Sequence, residues 1–190
     1  MESIFTLPVL AILAVLGYVF LHNDLVRKVN RVDQAYSSID VMLKKRWDLI
    51  PNLVAAVEQY MNHERFLLEA LTELRTRALS PLATPAERNQ LDIATTAALK
   101  QFIVAVENYP QLKASENFLH LQGSLNELEE QISAARRFYN AAVTEYHDGL
   151  RTWPSGMVAK QMGLKPRDLF TVADGERENT DLRALFERAR

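Results

Sequence analysis

Apolar and polar positions divide this chain into two regimes. From Ile4 to Leu21 the run is apolar except for Thr6 and Tyr18, with Pro8 and Gly17 tolerated inside it. As a helix this run is roughly 27 Å long, enough to cross a hydrocarbon core. From Leu25 onward the apolar residues recur in alternating steps of four and three: Leu25, Val29, Val32, Tyr36, Ile39, Leu43, Ile50, Leu53, Val57 and Tyr60. The same register continues through Leu67, Leu71, Leu74 and Ala78. A seven-residue repeat held this long predicts helix packed along a coiled-coil-like seam. Two seam positions are polar, Arg46 and Glu64.

Punctuation sets the number of helices. Pro51 lies inside the first pattern, lacks an N–H and clashes with the carbonyl four residues back, which predicts a kink or a break just before it. A kink leaves one long helix and a break makes two. Ser80-Pro81 ends that region, and Thr84-Pro85-Ala86-Glu87 reads as a capping box with proline at the first helical position. A second helix is expected from Pro85 to Asn108, with Leu91, Ala94, Ala98, Phe102 and Ala105 on its core face; Tyr109-Pro110 closes it. A third is expected from Ser115 to Thr152, with Phe118, Leu121, Leu125, Leu128, Ile132, Ala135, Tyr139, Ala142 and Tyr146 in rhythm. Trp153-Pro154-Ser155-Gly156 stops it, a short helix follows over Met157–Met162, and Gly163 leads to a charged tail with a last turn at Asp181–Arg190.

The expected fold is therefore all-α: an N-terminal transmembrane helix, then an antiparallel up-and-down bundle, then a short C-terminal helix. The bundle has three long helices, four if Pro51 breaks the first. Residues 1–22 form the anchor, 23–163 the bundle and 164–190 the charged tail.

Composition changes this picture at three points. The chain of 190 residues has no cysteine, which removes disulfides, thiolate metal sites, thiol catalysis and lipoprotein acylation. Its net charge of −2 gives nucleic-acid binding no electrostatic support. The residues before the apolar run are Met1, Glu2 and Ser3, with no basic region, and no A-x-A site follows it, so a retained anchor is favoured over a cleaved signal peptide. Arg27, Lys28, Arg31, Lys44, Lys45 and Arg46 all follow the span. The positive-inside rule then places a short N-terminus outside and the bulk of a single-pass protein in the cytoplasm, at the inner membrane.

Candidate chemistry is sparse. His63-Glu64 begins like H-E-x-x-H, but Leu67 occupies the closing position; His22, His120 and His147 are scattered. No nucleophile elbow and no phosphate loop is present, so no catalytic, metal or cofactor residues are assigned. Lys44 and Lys45 read as a solvated face. Arg46 and Glu64 are sharper, because a charge on a packed seam costs stability unless paired. Roughly 27 Å apart on one helix, they need partners from elsewhere; Glu107, Glu127 and Arg136 are the candidates. Arg136, Tyr139 and Asn140 form a second polar cluster.

The segment AYSSIDVMLKKRWDLIPNLV at Ala35–Val54 resembles the hallmark segment of the LemA family. The resemblance continues through Tyr60, His63-Glu64, Glu107-Asn108-Tyr109-Pro110-Gln111-Leu112-Lys113-Ala114 and Asn117-Phe118. Further matches are Ile132, Ala135-Arg136, Tyr139-Asn140, Val143 and Tyr146, and together they span Leu25 to Gly163. The chain departs from the pattern at Tyr36, His147 and Met162-Gly163-Leu164. The resemblance implies one N-terminal span, a four-helix-type bundle and no established biochemical activity.

The functional expectation is a membrane-anchored scaffold or adaptor working through protein contacts. Its partners would be the bilayer, through residues 4–21, and a second copy of the chain or another protein. Leu43, Arg46 and Leu53 are candidates for the contact surface. One alternative is a membrane-bound enzyme built on Asp40, Arg46, Asn52, Arg136 and Asn140, which requires those side chains to converge on an open pocket. Another is a lipid-remodelling protein, which requires an exposed amphipathic face on the tail or second helix.

Overall fold

The computed structural model describes residues 2–170. The turn expected at Asp181–Arg190 lies outside the described residues. Among them every regular element is helical: α1 (Glu2–Val57), a 3₁₀ turn (Asn62–Glu64), α2 (Arg65–Ala78), α3 (Pro85–Val106), α4 (Pro110–Lys113), α5 (Glu116–Arg151) and α6 (Ser155–Gln161).

α1 passes through Pro51 without interruption. In a regular helix the amide of residue 51 would donate to the carbonyl of Trp47, and proline leaves that carbonyl without its partner. Here Arg75 Nε of α2 donates to Trp47 O at 3.1 Å. A neighbouring helix thus satisfies the group that Pro51 strands.

The first region nevertheless makes two helices, because the chain reverses after Val57. Glu58–Tyr60 form a turn, Met61 leaves helical geometry at φ −107°, ψ 50°, and the 3₁₀ turn leads into α2. Met61 is buried and plugs the end of the core. The heptad count runs unbroken across this reversal because both arms present their apolar stripe to the same core, and the turn happens to keep phase. Arg75 beside Trp47 shows that α2 folds back along α1. Glu64, expected on a helical seam, sits instead in the half-exposed 3₁₀ turn.

Side-chain pairs give the direction of the other helices. Arg88 of α3 faces Asp40 and Asp92 faces Arg46, so α3 runs parallel to α1. Tyr139 meets Tyr36, Glu145 meets Arg31, and Gly149 lies against Leu25, so α5 runs antiparallel to α1 along most of its length. The buried stripe of α1 includes Leu25, Val32, Ile39, Leu43, Ile50, Leu53 and Val57, in the register that the seam predicted. From Leu25 to Val57 this is roughly 48 Å of helix. The α1–α5 pair is a stalk near the apolar span, and α2 and α3 join it farther out to make a four-helix head.

α3 begins with the expected capping box: Glu87 N donates to Thr84 Oγ1 at 3.3 Å and Thr84 N donates to Glu87 Oε2 at 2.8 Å. The backbone bond and the hydroxyl of Thr84 hold the Glu87 carboxyl below its usual pKa. Its core face is turned from the expected one. Leu91, Ala98 and Phe102 are buried as expected, but Ala94 and Ala105 are only half-buried, while Asp92, Thr95, Leu99 and Val106 are inside. Alanine is too small and too helix-favouring to mark a face by itself. α4, a single turn begun by Pro110, buries Leu112 beneath the α3–α5 connection.

α6 ends on Gly163 at φ +67°, with Leu164 N donating to Ala159 O at 3.1 Å, a left-handed cap that favours glycine. Residues 164–170 then return along α5 as an extended strap. Tyr146 Oη donates to Lys165 O (2.8 Å), Tyr139 Oη to Asp168 O (3.0 Å), and Asn140 bonds Phe170 twice, Nδ2 to its carbonyl and Oδ1 from its amide, each at 2.9 Å. Burial raises the pKa of both tyrosines, which keeps their hydroxyls protonated as donors.

Candidate functional site

Arg46 is fully enclosed, and its guanidinium is the hub of a charge network. Nη2 pairs with Asp92 Oδ1, and Nη1 donates to Glu129 Oε1 at 2.7 Å and Thr96 Oγ1 at 3.0 Å. The second oxygen of Asp92 pairs with Arg136 Nη2. Two cations and two carboxylates therefore balance, and three helices are tied at one level of the head. Asp92 is as deeply buried as Arg46, whereas Glu129 and Arg136 reach the surface. Such a network costs desolvation, which its ion pairs offset, and Arg46 Nε is enclosed without a hydrogen-bond partner among the described residues.

The expected site residues are distributed differently from the expectation. Asp40 is half-buried and faces Arg88 at 3.9 Å. Asn52 is exposed on α1. Tyr139 and Asn140 hold the strap, and Arg136 lies 5.9 Å from the ring of Phe170. Asp40, Arg46, Asn52, Arg136 and Asn140 do not converge on one open pocket. The partners of Arg46 are Asp92 and Glu129 rather than Glu107 or Glu127: Glu107 pairs with Lys113, and Glu127 accepts from Gln131 at 2.9 Å. Arg136 joins the same network, but as a second cation on Asp92. Leu43, Arg46 and Leu53 are all buried, so none of them offers a contact surface. Lys44 and Lys45 are exposed, and Lys44 pairs with Asp48 at 2.9 Å.

Sequence reasoning missed Asp92. It adjoins Leu91 at the edge of an apolar stripe, where a carboxylate ordinarily reaches water. The available signal was Asp92 with Thr95 and Thr96 one turn later, a polar stripe next to the apolar one.

A broad groove lies beside this network. α3 packs along α2 and stands away from α5, leaving a groove of about 1290 Å³ between them. Leu99, Ile103 and Val104 form one wall; Leu125 and Ile132 lie at the base of the other, with Glu127, Glu130 and Arg137 among its polar lining. The Asp92–Arg136 pair bridges the two helices toward one end, and Phe102 against Phe118, 6.2 Å between ring centroids, bridges them toward the other. Val104, 70 % exposed, also lines a second hollow of about 700 Å³ with Phe66, His63 and Glu64. Phe66 is 86 % exposed, so apolar surface continues from the groove to the tip of the head. Among the described residues, no cluster of three or more His, Asp or Glu side chains is placed to hold a metal.

The profile of the LemA family matches residues 35–183. The chain is 29 % identical to Protein LemA of Metamycoplasma hominis, over 88 % of this chain and 77 % of that protein. It is 22 % identical to Magnetosome protein MamQ 2 of Paramagnetospirillum magneticum, over 89 % of this chain and 72 % of that protein. A shorter match, 29 % identical over 38 % of this chain and 27 % of the other, is to Magnetosome protein MamQ of Magnetospirillum gryphiswaldense.

Proposed function

Because the chain belongs to the LemA family, whose profile spans the whole head, we propose that it is a membrane-anchored adaptor that presents the α3–α5 groove to a helix of a partner protein. The anchor is the N-terminal part of α1, where Val9, Leu10, Ile12, Leu13, Val15 and Leu16 are all more than half exposed. A continuous apolar surface on an unpaired helix of this length is what a bilayer covers. The head is then carried on the α1–α5 stalk into the cytoplasm, the side favoured by the basic residues after the span.

The open groove is the observation that supports the adaptor reading. Its walls are an apolar strip flanked by acids and bases, the complement of an amphipathic helix lying lengthwise. Thr96 to Val104 on one wall corresponds to roughly 12 Å, about two turns of an occupant. Glu129 and Arg136, two of the ionic groups lining the groove, are consumed in pairing Arg46 and Asp92, which favours binding over catalysis.

The test is a photo-crosslinking residue at Val104, in the groove, compared with one at Lys45, outside it. The expected result is a discrete adduct from Val104 alone, lost when Ile103→Glu is added while helicity by circular dichroism is unchanged. Mass spectrometry of the adduct then distinguishes a second copy of this chain from another protein. Adducts of equal yield at the two positions, or adducts indifferent to Ile103→Glu, would exclude the groove.

A further inference from the structure

The second apolar surface lies at the opposite end of the molecule. Trp153, in the corner between α5 and α6, is 80 % exposed, and Met157, in the first turn of α6, is 65 % exposed. Two large exposed apolar side chains four residues apart at one corner call for a cover.

Their level along the molecule is set by the α1–α5 ladder. Tyr139 is opposite Tyr36, Glu145 opposite Arg31 and Gly149 opposite Leu25 and Lys28, so each step along α5 descends one step along α1. Continued to the end of α5, the ladder brings Arg151 level with Asp24, and Trp153 follows two residues later, so the corner lies close to the last residue of the apolar run, Leu21. The packing of α6 agrees: Val158 and Ala159 form a small core with Leu25, against which Leu21 also packs. A bond between Ser155 Oγ and Gly149 O, 2.8 Å, ties the corner to α5. At Gly149 a Cβ would meet Leu25 Cδ2 at 3.1 Å, so the close approach of the two helices at this level favours a residue without one. The corner is thus rigidly placed where α1 leaves its apolar stretch.

We infer that the α5–α6 corner is a second membrane contact, in which Trp153 and Met157 enter the headgroup region of the bilayer that α1 crosses. Tryptophan is suited to that depth, since its ring is largely apolar and its indole N–H still reaches water or phosphate. Arg151 and Lys160 are exposed on the same two elements and can extend their charged ends to lipid phosphates. The acids at this level are Asp24, paired with Lys28 at 3.0 Å, and Asp148. The contact would hold the stalk at a fixed angle to the membrane, which a single span alone does not do.

This inference rests on the anchoring of α1 in a bilayer, and the experiment separates the two. The full chain is reconstituted in phosphatidylcholine–phosphatidylglycerol vesicles whose acyl chains carry bromines either close to the headgroups or near the chain ends. Tryptophan emission is compared with that of Trp153→Phe, which keeps Trp47 as the background; Trp47 is buried in the head. The expected result is a loss of emission that is larger with shallow bromines and absent in Trp153→Phe. Failure of the chain to float with the vesicles would overturn the anchor and this contact together. Flotation with equal quenching in both proteins would overturn the corner contact alone. So would a Trp153 protected from aqueous iodide yet indifferent to bromolipid, because a protein would then cover it.

Discussion

Arg46 shows how a single residue can be legible as important and still be misread in its role. A guanidinium on a heptad seam announces burial, and burial announces a partner. Spacing cannot say whether that partner belongs to the same molecule. The structure answers with Asp92, Glu129 and Thr96, all from this chain. The energetic consequence is specific. Asp92→Leu leaves Arg46 and Arg136 without their shared carboxylate and is expected to cost about 3–5 kcal/mol. Adding Arg46→Met to Asp92→Leu should recover most of that loss, because Glu129 and Arg136 can both turn to solvent. Urea unfolding of the full chain in nanodiscs, followed by far-ultraviolet circular dichroism, checks this. Strictly additive losses in the double variant would contradict the network.

At the scale of elements, Pro51 and the α1–α2 reversal exchange the roles that local sequence assigns them. The proline is absorbed because Arg75, distant in sequence, satisfies the carbonyl of Trp47. The reversal at Glu58–Glu64 has neither glycine nor proline to mark it. It is stabilised by what it encloses, with Met61 as the plug. Pro51→Ala restores an amide that competes for Trp47 O, so the two substitutions should couple. Arg75→Ala alone should destabilise by about 1.5 kcal/mol, the lower end for a bond to a charged donor, since Arg75 is only half-buried. In the Pro51→Ala background the same change should cost much less. A double-mutant cycle by urea titration measures the coupling, and an equal cost in both backgrounds would refute the compensation. The α3 capping box, by contrast, was legible in full, since every group in it lies within four consecutive residues.

For the whole molecule, the two ends have different surfaces. The tip of the head exposes Phe66 and Val104 beside the groove; the stalk end exposes Trp153 and Met157 beside the apolar span. The adaptor reading needs the head on the side of the membrane where its partner is, and the basic flank favours the cytoplasm. Since the chain has no cysteine, single reporters are unambiguous. A membrane-impermeant maleimide should label Glu2→Cys in intact spheroplasts and Lys45→Cys only after permeabilisation. The reverse pattern would place the head outside.

Sequence by itself determined what depends on periodicity and on neighbours a few residues apart. The apolar run, the helical class, the register of α1 and α5, the capped start of α3 and the family all follow from side chains that repeat or touch locally. Tertiary structure decided whatever depends on a partner far along the chain: where the first region reverses, which carboxylate answers Arg46, and how α3 is rotated about its axis. It also decided that Trp153, unremarkable as the end of a helix, is carried to the level where α1 leaves its apolar stretch. The physical reason is the same in each case. Hydrophobic burial is non-directional and fixes only which face turns inward, whereas the pairing of buried charges and stranded carbonyls depends on geometry that exists only once the helices have packed.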